Sequence, residues 1–311
     1  MRHRTHFERV TDLFENPVLI VNPRSNQGRI HVDDAKLVPA LKATWPHLKV
    51  FKTQAVGHAT ELTLQQVDQN ASVIIVLGGD GTLNEVVNGL GEQSVVPLAV
   101  LPRGSGNDTA RSLGWPADAN ALIRRLLSAQ VKHLDLGLVT SKTRKRYFLN
   151  VASCGISAVI AQGIREQEHK ISPTWGYYFE TLKAIVRYKP KQIKVKIDGK
   201  PLSYPNCSLL AFANGQYFGG GMHIAPRAQM DDGRFDEIVV SKMGLLFFLR
   251  HGLKVYRGKH LGLPQVYRMR GRTAFVESTS QTPVLIEADG EDAGELPARF
   301  EILPRCFPVL I

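Results

Sequence analysis

The chain has 311 residues, of which 43% are hydrophobic and 22% charged. These proportions are typical of a globular protein and exclude a disordered, collagen-like or coiled-coil chain. Lys and Arg outnumber Asp and Glu by 39 to 28, and the resulting formal charge of +11 favours anionic partners: nucleic acid, phosphates or an acidic membrane surface.

Three cysteines at wide spacing fit neither a disulfide framework nor a CxxC-type zinc cluster, which indicates a reducing compartment. The N-terminus lacks the apolar run of a signal peptide, and no segment approaches the ~18 consecutive apolar residues that span a bilayer. We therefore expect that the chain does not cross a membrane by itself.

The first half alternates short apolar runs with helix-patterned stretches, which predicts βαβ units around a parallel sheet. The predicted strands are residues 17–22, 49–52, 72–77 and 97–101. Each ends in Gly, Asn, Pro or Ser, so the loops gather at the carboxyl edge of the strands. In open α/β sheets this edge binds ligands.

A polar turn, NPRSNQGR, follows the first predicted strand at residues 22–29. Arg24 and Arg29 are possible phosphate partners. A solvated loop between strand and helix explains the same residues equally well.

The third predicted strand leads into GGDGT, residues 78–82, and then into a helical pattern. Strand, glycine turn and helix form a phosphate-binding layout, because glycines let backbone N–H groups approach an anion at a helix N-terminus. Asp80 would repel phosphates unless a cation lay between them, which favours Mg²⁺. The alternative is a tight turn in which Thr82 and Glu85 form a capping box.

The next predicted strand ends in a second loop of the same kind, LPRGSGNDTAR, residues 101–111. Two glycines flank Ser105, whose hydroxyl can bond a phosphate oxygen. Asn107 or Asp108 can cap the helix that carries Arg111. An ordinary capped helix start is the alternative.

After residue 135 strands succeed one another, which predicts an antiparallel sheet or sandwich. The predicted strands are 146–152, 191–197, 209–213, 235–240, 273–277, 284–288 and 299–303. A loop over 214–236 contains glycines 219–221 and the run Asp231-Asp232-Gly233, which can wrap oxygens around Mg²⁺ or Ca²⁺. A long hairpin loop is the alternative.

The strand at 284–288 delivers Asp289 and Glu291 to its tip. Two residues apart, they can share one face of an extended chain, and either carboxylate could act as general base toward a hydroxyl. A simple Asp-Gly turn is the alternative. No Ser-His-Asp assembly or HExxH spacing is readable, so acyl transfer and zinc catalysis have no support.

With these segments taken together, the chain resembles the bacterial diacylglycerol kinase-like lipid kinases, whose catalytic domain is related to sphingosine and ceramide kinases. The resemblance covers nearly the whole chain and rests on NPRS (22–25), GGDGTLNEVVNGL (78–90), LPRGSGNDTAR (101–111), GGGMHIAPRAQMDDGRFD (219–236) and EADGE (287–291). GGDGT alone is shared with NAD kinases and phosphofructokinases, whereas the loop at 101–111 and the late DGE element are more specific to lipid kinases.

The resemblance implies an N-terminal α/β nucleotide-binding domain over 1–134, rejoined by 304–311, and a mainly antiparallel β-sandwich domain for the lipid over 135–303. It also implies a set of nucleotide-binding residues: Asn22, Pro23, Arg24, Ser25, Asn26, Thr53, Gly79, Asp80, Gly81, Thr82, Leu83, Asn84, Glu85, Ser105, Asn107 and Arg111. Two residues depart from the family pattern, since Asn26 replaces a usual glycine and Ser105 a usual threonine.

Metal and catalytic roles are implied in the same way. Asp80 and Asp108 would organise Mg²⁺ and water. Asp232, with the backbone carbonyls of Gln229 and Arg234, would hold a structural Mg²⁺. Both Asp289 and Glu291 are candidate proton acceptors.

The implied activity is Mg²⁺-dependent transfer of the γ-phosphoryl group of ATP to a lipid hydroxyl, with diacylglycerol giving phosphatidic acid as the leading substrate. The alternatives are a sphingoid base, phosphatidylglycerol or NAD as acceptor, or a nucleotide-binding regulator without turnover. Expected partners are ATP, a lipid at a membrane surface, anionic headgroups and a second copy in a homodimer, with no nucleic acid. The expected location is the cytoplasm, at the inner face of the cell membrane.

The excess positive charge belongs to two segments of the second half. Residues 183–196 contain six Lys and Arg, residues 242–272 contain eight, and neither segment has an acidic residue. Residues 245–249, LLFFL, lie inside the second segment, which predicts contact with an anionic membrane surface. The alternative is that these leucines are core and the cations form a solvated face.

Overall fold

The computed structural model describes residues 14–25, 32–166 and 181–311. The chain divides into two compact units. Unit 1 comprises Met1–Leu134 with Arg305–Ile311, and unit 2 comprises Asp135–Pro304. That unit 1 serves the nucleotide and unit 2 the lipid stays a prediction. Among the described residues no helix combines the length and apolar character that crossing a membrane requires.

Unit 1 alternates strands and helices in chain order. Its elements are β1 (Pro17–Val21), α1 (Val32–Thr44), β2 (Lys49–Lys52), α2 (His58–Asp68), β3 (Val73–Gly78), α3 (Asp80–Leu90), β4 (Leu98–Pro102), α4 (Asp108–Ser112) and α5 (Ala119–Ser128). The strands are parallel in the order β4–β3–β1–β2, with Ile75 paired to Leu19 on one side and to Ala99 on the other.

Burial in this sheet follows the sequence pattern. Every residue of β3 and β4 is buried, as expected for the apolar inner strands of a parallel sheet. The end of the chain adds a further parallel strand, since Val309 pairs with Leu98 of β4. The carboxyl ends of β1, β3 and β4 therefore lie along one edge, and the polar loops follow them there.

Unit 2 is built mainly from antiparallel strands. They are β5 (Val131–Ser141) and β15 (Ala298–Leu310), which both begin or end in unit 1, and β6 (Lys145–Phe148), β7 (Val151–Gly155), β8 (Lys191–Ile197), β9 (Lys200–Ala213), β10 (Phe235–Ser241), β11 (Val266–Gly271), β12 (Thr273–Ser278), β13 (Leu285–Ala288) and β14 (Glu291–Glu295). Two helices accompany them, α6 (Ile156–Glu166) and α7 (Leu245–Tyr256), and residues 181–187 are also helical.

The long strand β9 organises unit 2. It pairs antiparallel with β8 along its first half, with β7 along its second half, and with β10. One face of these strands contributes to a core that contains Phe212, Phe235 and Phe300. The other face packs beneath α6 and α7 around Ile224 and Ile238. The predicted fold class, an α/β unit with parallel strands and a mainly antiparallel β unit, is confirmed.

The prediction of one strand over residues 146–152 is wrong. The structure has two strands, β6 and β7, separated by Leu149 and Asn150. The ladder is interrupted because the backbone N–H groups of these two residues donate to the carboxylate of Asp289.

Candidate active site

The two predicted glycine loops of unit 1 touch each other through their backbones. A Cβ atom on Gly104 would lie 2.5 Å from the Cα of Gly79, and one on Gly79 would lie 3.0 Å from the Cα of Gly104. The Arg103 N–H donates to the carbonyl of Gly78 at 2.9 Å, so the β3–β4 ladder continues into the crossing. Both positions require glycine, and the loops present backbone there instead of side chains.

Asp80 joins these loops from the first turn of α3. One carboxylate oxygen accepts the N–H of Asp108 at 3.2 Å, and the other accepts the N–H of Thr109 at 3.1 Å. Asp108 is itself buried and pairs with Arg111 at 2.8 Å. Two aspartates predicted to organise a metal are thus brought together, and Asp80 also fastens β3 to the start of α4.

Asn107 closes the second glycine loop. Its side-chain oxygen accepts the N–H of Gly104 at 2.7 Å, and its amide nitrogen donates to the carbonyl of Gly104 at 2.8 Å. Asn107 adopts φ 53°, a left-handed conformation that Asn tolerates better than most residues. Ser105, at the tip, is exposed, and its hydroxyl has no hydrogen-bond partner among the described residues. It is therefore available to a ligand.

The loop after β1 is fastened to α3 by Asn22. Its side-chain nitrogen donates to the hydroxyl of Thr82 at 2.8 Å, and its backbone carbonyl accepts the hydroxyl of Ser25 at 2.8 Å. Pro23 and Arg24 are exposed at the turn. Asn26, also predicted to bind nucleotide, lies outside the described residues.

Glu85 extends from α3 to the start of α2. Its two carboxylate oxygens accept the N–H groups of Gly57 and Ala59 at 2.9 and 3.0 Å. This contact holds the loop that begins at Thr53, whose own N–H donates to the carbonyl of Val21 at 2.9 Å. A carboxylate at a helix N-terminus is favourable both as a hydrogen-bond acceptor and through the helix dipole.

The capping-box alternative for Thr82 and Glu85 is wrong. Helix α3 begins after Gly79 without a side-chain cap from the described residues, and Thr82 and Glu85 instead bond to neighbouring elements. Leu83 and Asn84 have buried side chains on the same helix. They can reach a nucleotide only through their backbone.

In unit 2, the hairpin turn between β13 and β14 consists of Asp289 and Gly290, with φ 51° and 86°. The Asp289 carboxylate accepts three backbone N–H groups, from Leu149 at 2.8 Å, Asn150 at 3.1 Å and Val151 at 2.9 Å. Three donors hold the carboxylate in place. Asp289 is therefore a structural anchor of this turn.

Glu291, two residues further along, has a different environment. It is half-buried at the start of β14, and its carboxylate has no hydrogen-bond or ion-pair partner among the described residues. Asp289 and Glu291 were equivalent candidates in the sequence. The structure separates them into a carboxylate held by three backbone N–H groups and one without a partner among the described residues.

Buried Glu287 supports the same turn, and sequence reasoning missed it. Its carboxylate accepts the N–H of Gly290 at 2.8 Å and contacts the hydroxyl of Ser153, which in turn lies 2.7 Å from the hydroxyl of Ser157. The one signal in the sequence was its place in EADGE, two residues before Asp289. Its partner Ser153 is 134 residues away in the chain.

The turn predicted to hold a structural Mg²⁺ is occupied differently. One oxygen of Asp232 accepts the Arg234 N–H at 3.1 Å, and the other contacts the guanidinium of Arg270. The N–H of Gly233 donates to buried Asp135 at 2.6 Å. Because Arg270 already supplies the positive charge, Gln229, Asp232 and Arg234 as arranged do not fit a cation, and we assign them none.

Comparisons with known proteins place this chain in a family. The diacylglycerol kinase catalytic domain matches residues 16–139, and the YegS C-terminal NAD kinase beta sandwich-like domain matches residues 150–311, more than half of the chain. A diacylglycerol kinase of Staphylococcus saprophyticus is 29% identical over 91% of this chain and 90% of its own, and one of Staphylococcus aureus is 28% identical over 92% and 89%.

Solved structures give the same result. The chain is similar to a crystal structure of a diacylglycerol kinase from Bacillus anthracis strain Sterne, with a TM-score of 0.71 and 25% identity over 95% of this chain and 96% of that one. A second structure from the same strain gives a TM-score of 0.75 at 28% identity, with the same coverage. The predicted family is confirmed: the chain belongs to the diacylglycerol kinase-like lipid kinases, a family of phosphotransferases for which ATP is the implied phosphoryl donor.

Proposed function

We propose that this protein transfers the γ-phosphoryl group of ATP to the hydroxyl of diacylglycerol, with Mg²⁺, and forms phosphatidic acid. The observation that carries the proposal is the pair of crossed glycine loops. Their backbones are so close that a Cβ on Gly104 would lie 2.5 Å from the Cα of Gly79, so the two loops meet through backbone groups. The names of the relatives support the choice of diacylglycerol.

Unit 1 binds the nucleotide. The backbone around Gly79, Gly81 and Gly104 and the N-terminus of α3 receive the phosphates, and the hydroxyl of Ser105 adds a side-chain donor. Arg24 and Arg111 neutralise phosphate charge from the neighbouring loops. The remaining predicted residues of unit 1, among them Asn22, Asn107 and Glu85, act by holding these loops in position.

Asp80 fits Mg²⁺, because carboxylate oxygens are the donors it prefers and each bonded oxygen of Asp80 retains a second lone pair. Asp108, whose carboxylate pairs with Arg111, would orient water beside the ion. When bound, the ion neutralises charge on the transferring phosphoryl group. The chain's own contribution is to fix two carboxylates beside the glycine loops before any ligand arrives.

Glu291 accepts the proton. As the lipid hydroxyl oxygen forms its bond to the γ-phosphorus, its O–H proton passes to the Glu291 carboxylate, and the bond from the γ-phosphorus to the bridging oxygen breaks to release ADP. We assign this role to Glu291 and not to Asp289, because three backbone N–H groups hold the Asp289 carboxylate in its turn, whereas the Glu291 carboxylate has no partner among the described residues.

Since the substrate is a lipid, we place the enzyme at a membrane surface, at the inner face of the cell membrane. Anionic headgroups are its expected partners at that surface. The homodimer stays a prediction without a structural argument for it.

The test is incubation with radiolabelled ATP, Mg²⁺ and mixed micelles that contain diacylglycerol. We expect organic-soluble label that mass spectrometry identifies as phosphatidic acid. Parallel reactions contain a sphingoid base, phosphatidylglycerol or NAD, and preferential labelling of one of these would replace diacylglycerol as the substrate. ATP binding without labelling of any acceptor would favour a regulator and contradict the proposal.

A further inference from the structure

Helix α7 has an apolar stripe that is exposed instead of packed against unit 2. Leu246, Leu249 and Leu253 are 83%, 61% and 80% exposed, and their spacing of three and four residues puts them on one side of the helix. No residue of α7 is fully buried. Contiguous exposed apolar side chains of this size mark a surface that meets a partner.

The opposite side of α7 already anchors the helix. Phe247, Phe248 and Val255 pack against the buried cluster of unit 2 that includes Ile224 and Val240. The three leucines therefore contribute nothing to holding α7 on its unit. Their exposure needs a reason outside the packing of unit 2.

The surroundings of the stripe are uniformly basic. Five exposed cations on and beside α7 have no ion-pair partner among the described residues: Lys242, Arg250, Lys254, Arg257 and Lys259. The two arginines on β11 differ, since Arg268 and Arg270 pair with Asp236 and Asp232. No acidic residue occurs between 242 and 272.

Arg250 and Lys254 lie one turn apart on the exposed side of the helix, next to the leucines. A leucine stripe bordered by cations is the pattern of a helix that lies in a membrane interface, with the leucines among the acyl chains and the cations at lipid phosphates.

We propose that α7 docks this protein on a bilayer surface that contains acidic phospholipid. Charge selects this occupant over a second copy of the chain, because two such faces would bring ten unpaired cations together. The proposed function supplies the reason to visit a membrane, but docking itself needs neither ATP nor turnover.

The test is sedimentation of the full chain with vesicles of phosphatidylcholine alone or with roughly 30% phosphatidylglycerol, at low and high salt, without ATP. We expect binding to the acidic vesicles that salt weakens. The pair Arg250→Gln/Lys254→Gln should weaken it roughly tenfold or more. The pair Leu249→Gln/Leu253→Gln should weaken it by a similar factor.

Matched controls remove the same groups elsewhere. Lys194→Gln/Lys196→Gln removes two cations from β8, and Leu64→Gln/Leu127→Gln removes two half-exposed leucines of unit 1. Both control pairs should bind vesicles like the wild type. All four paired variants should keep the wild-type Tm. If Leu249→Gln/Leu253→Gln lowers the Tm, the vesicle binding of Arg250→Gln/Lys254→Gln tests the proposal alone.

Wild-type vesicle binding by the α7 variants would overturn the proposal. So would a change in sedimentation-velocity mass caused by the α7 leucine pair without a change in vesicle binding, since α7 would then be a contact between copies. The variant Glu291→Gln should bind vesicles normally, so failure of the kinase proposal and failure of docking give different results.

Discussion

The glycine loops of unit 1 and the β13–β14 turn of unit 2 use carboxylates in contrasting ways. In unit 1, Asp80 and Glu85 each accept two backbone N–H groups from another element. In unit 2, Asp289 does the same with three, but Glu291 has no partner among the described residues. In the glycine loops both carboxylates hold the backbone in position for the proposed ligand. In the β13–β14 turn the Glu291 carboxylate stays available for the proposed proton transfer.

Glu237 is a carboxylate of a third kind, and its titration has the largest expected effect on the free energy of unfolding. Glu237 on β10 is fully buried between Phe212 and Met269, and neither carboxylate oxygen has a hydrogen-bond partner in the described part of the chain. Burial raises its pKa to about 8, from 4.5. The folded state therefore holds a proton that the unfolded state releases between these values.

We expect stability to fall as pH rises from about 4.5 to about 8, by on the order of 3–5 kcal/mol from this group. Glu237→Gln should remove most of that slope, because the amide carries no titrating proton. Denaturant unfolding at several pH values measures it, with exposed Glu277→Gln as control. An unchanged slope in Glu237→Gln would show that Glu237 does not bind the proton.

A side chain at the crossing of the glycine loops should have the next largest effect on stability. In Gly104→Ala the new Cβ meets the backbone of Gly79, so the loops must separate. We expect a loss of about 1–3 kcal/mol in unfolding free energy and roughly 100-fold in kcat/KM for ATP. Gly262→Ala is the control, since its Cβ meets no described atom within 4 Å. Equal behaviour of the two variants would mean that the loops do not cross.

Removal of a carboxylate brace should have a smaller effect. Glu85→Ala leaves the N–H groups of Gly57 and Ala59 without their acceptor, which should cost about 1–2 kcal/mol and raise the KM for ATP. Thermal unfolding and steady-state kinetics measure both. Glu92→Ala, a half-exposed glutamate without a partner among the described residues, should change neither. If Glu85→Ala had the same Tm and KM for ATP as Glu92→Ala, Glu85 would not stabilise the loop before α2.

Chelation should have the smallest effect. Because Arg270 occupies the carboxylate of Asp232, EDTA without ATP should shift the Tm by less than about 1 °C. A fall of several degrees that Mg²⁺ reverses in the wild type but that is absent in Asp232→Asn would place a cation at the turn.

Local sequence order made the fold and the loops predictable. Strands that end in glycines and Asp80 identify a phosphate-binding edge, and the succession of strands after residue 135 identifies an antiparallel sheet. These features depend on neighbours within a few residues.

Roles that depend on distant partners could not be predicted. Glu85 bonds Gly57, 28 residues away, and Asp289 bonds Val151, 138 residues away, so the sequence does not distinguish a brace from an open carboxylate. Likewise, LLFFL is equally typical of a core. Only the packing of α7 shows that Phe247 and Phe248 contact the buried cluster and that Leu246 is exposed.

The central claim, that Glu291 and not Asp289 accepts the proton, is tested most directly by lipid phosphorylation in Glu291→Gln beside Asp289→Asn. Asp292→Asn, which removes a surface partner of Arg144, is the control and should retain activity. We expect Glu291→Gln to lose roughly 10²–10⁴-fold in kcat with wild-type Tm and ATP binding. Asp289→Asn should lose about 1–3 kcal/mol of stability. Full activity in a folded Glu291→Gln, with an inactive Asp289→Asn of wild-type stability, would contradict the account.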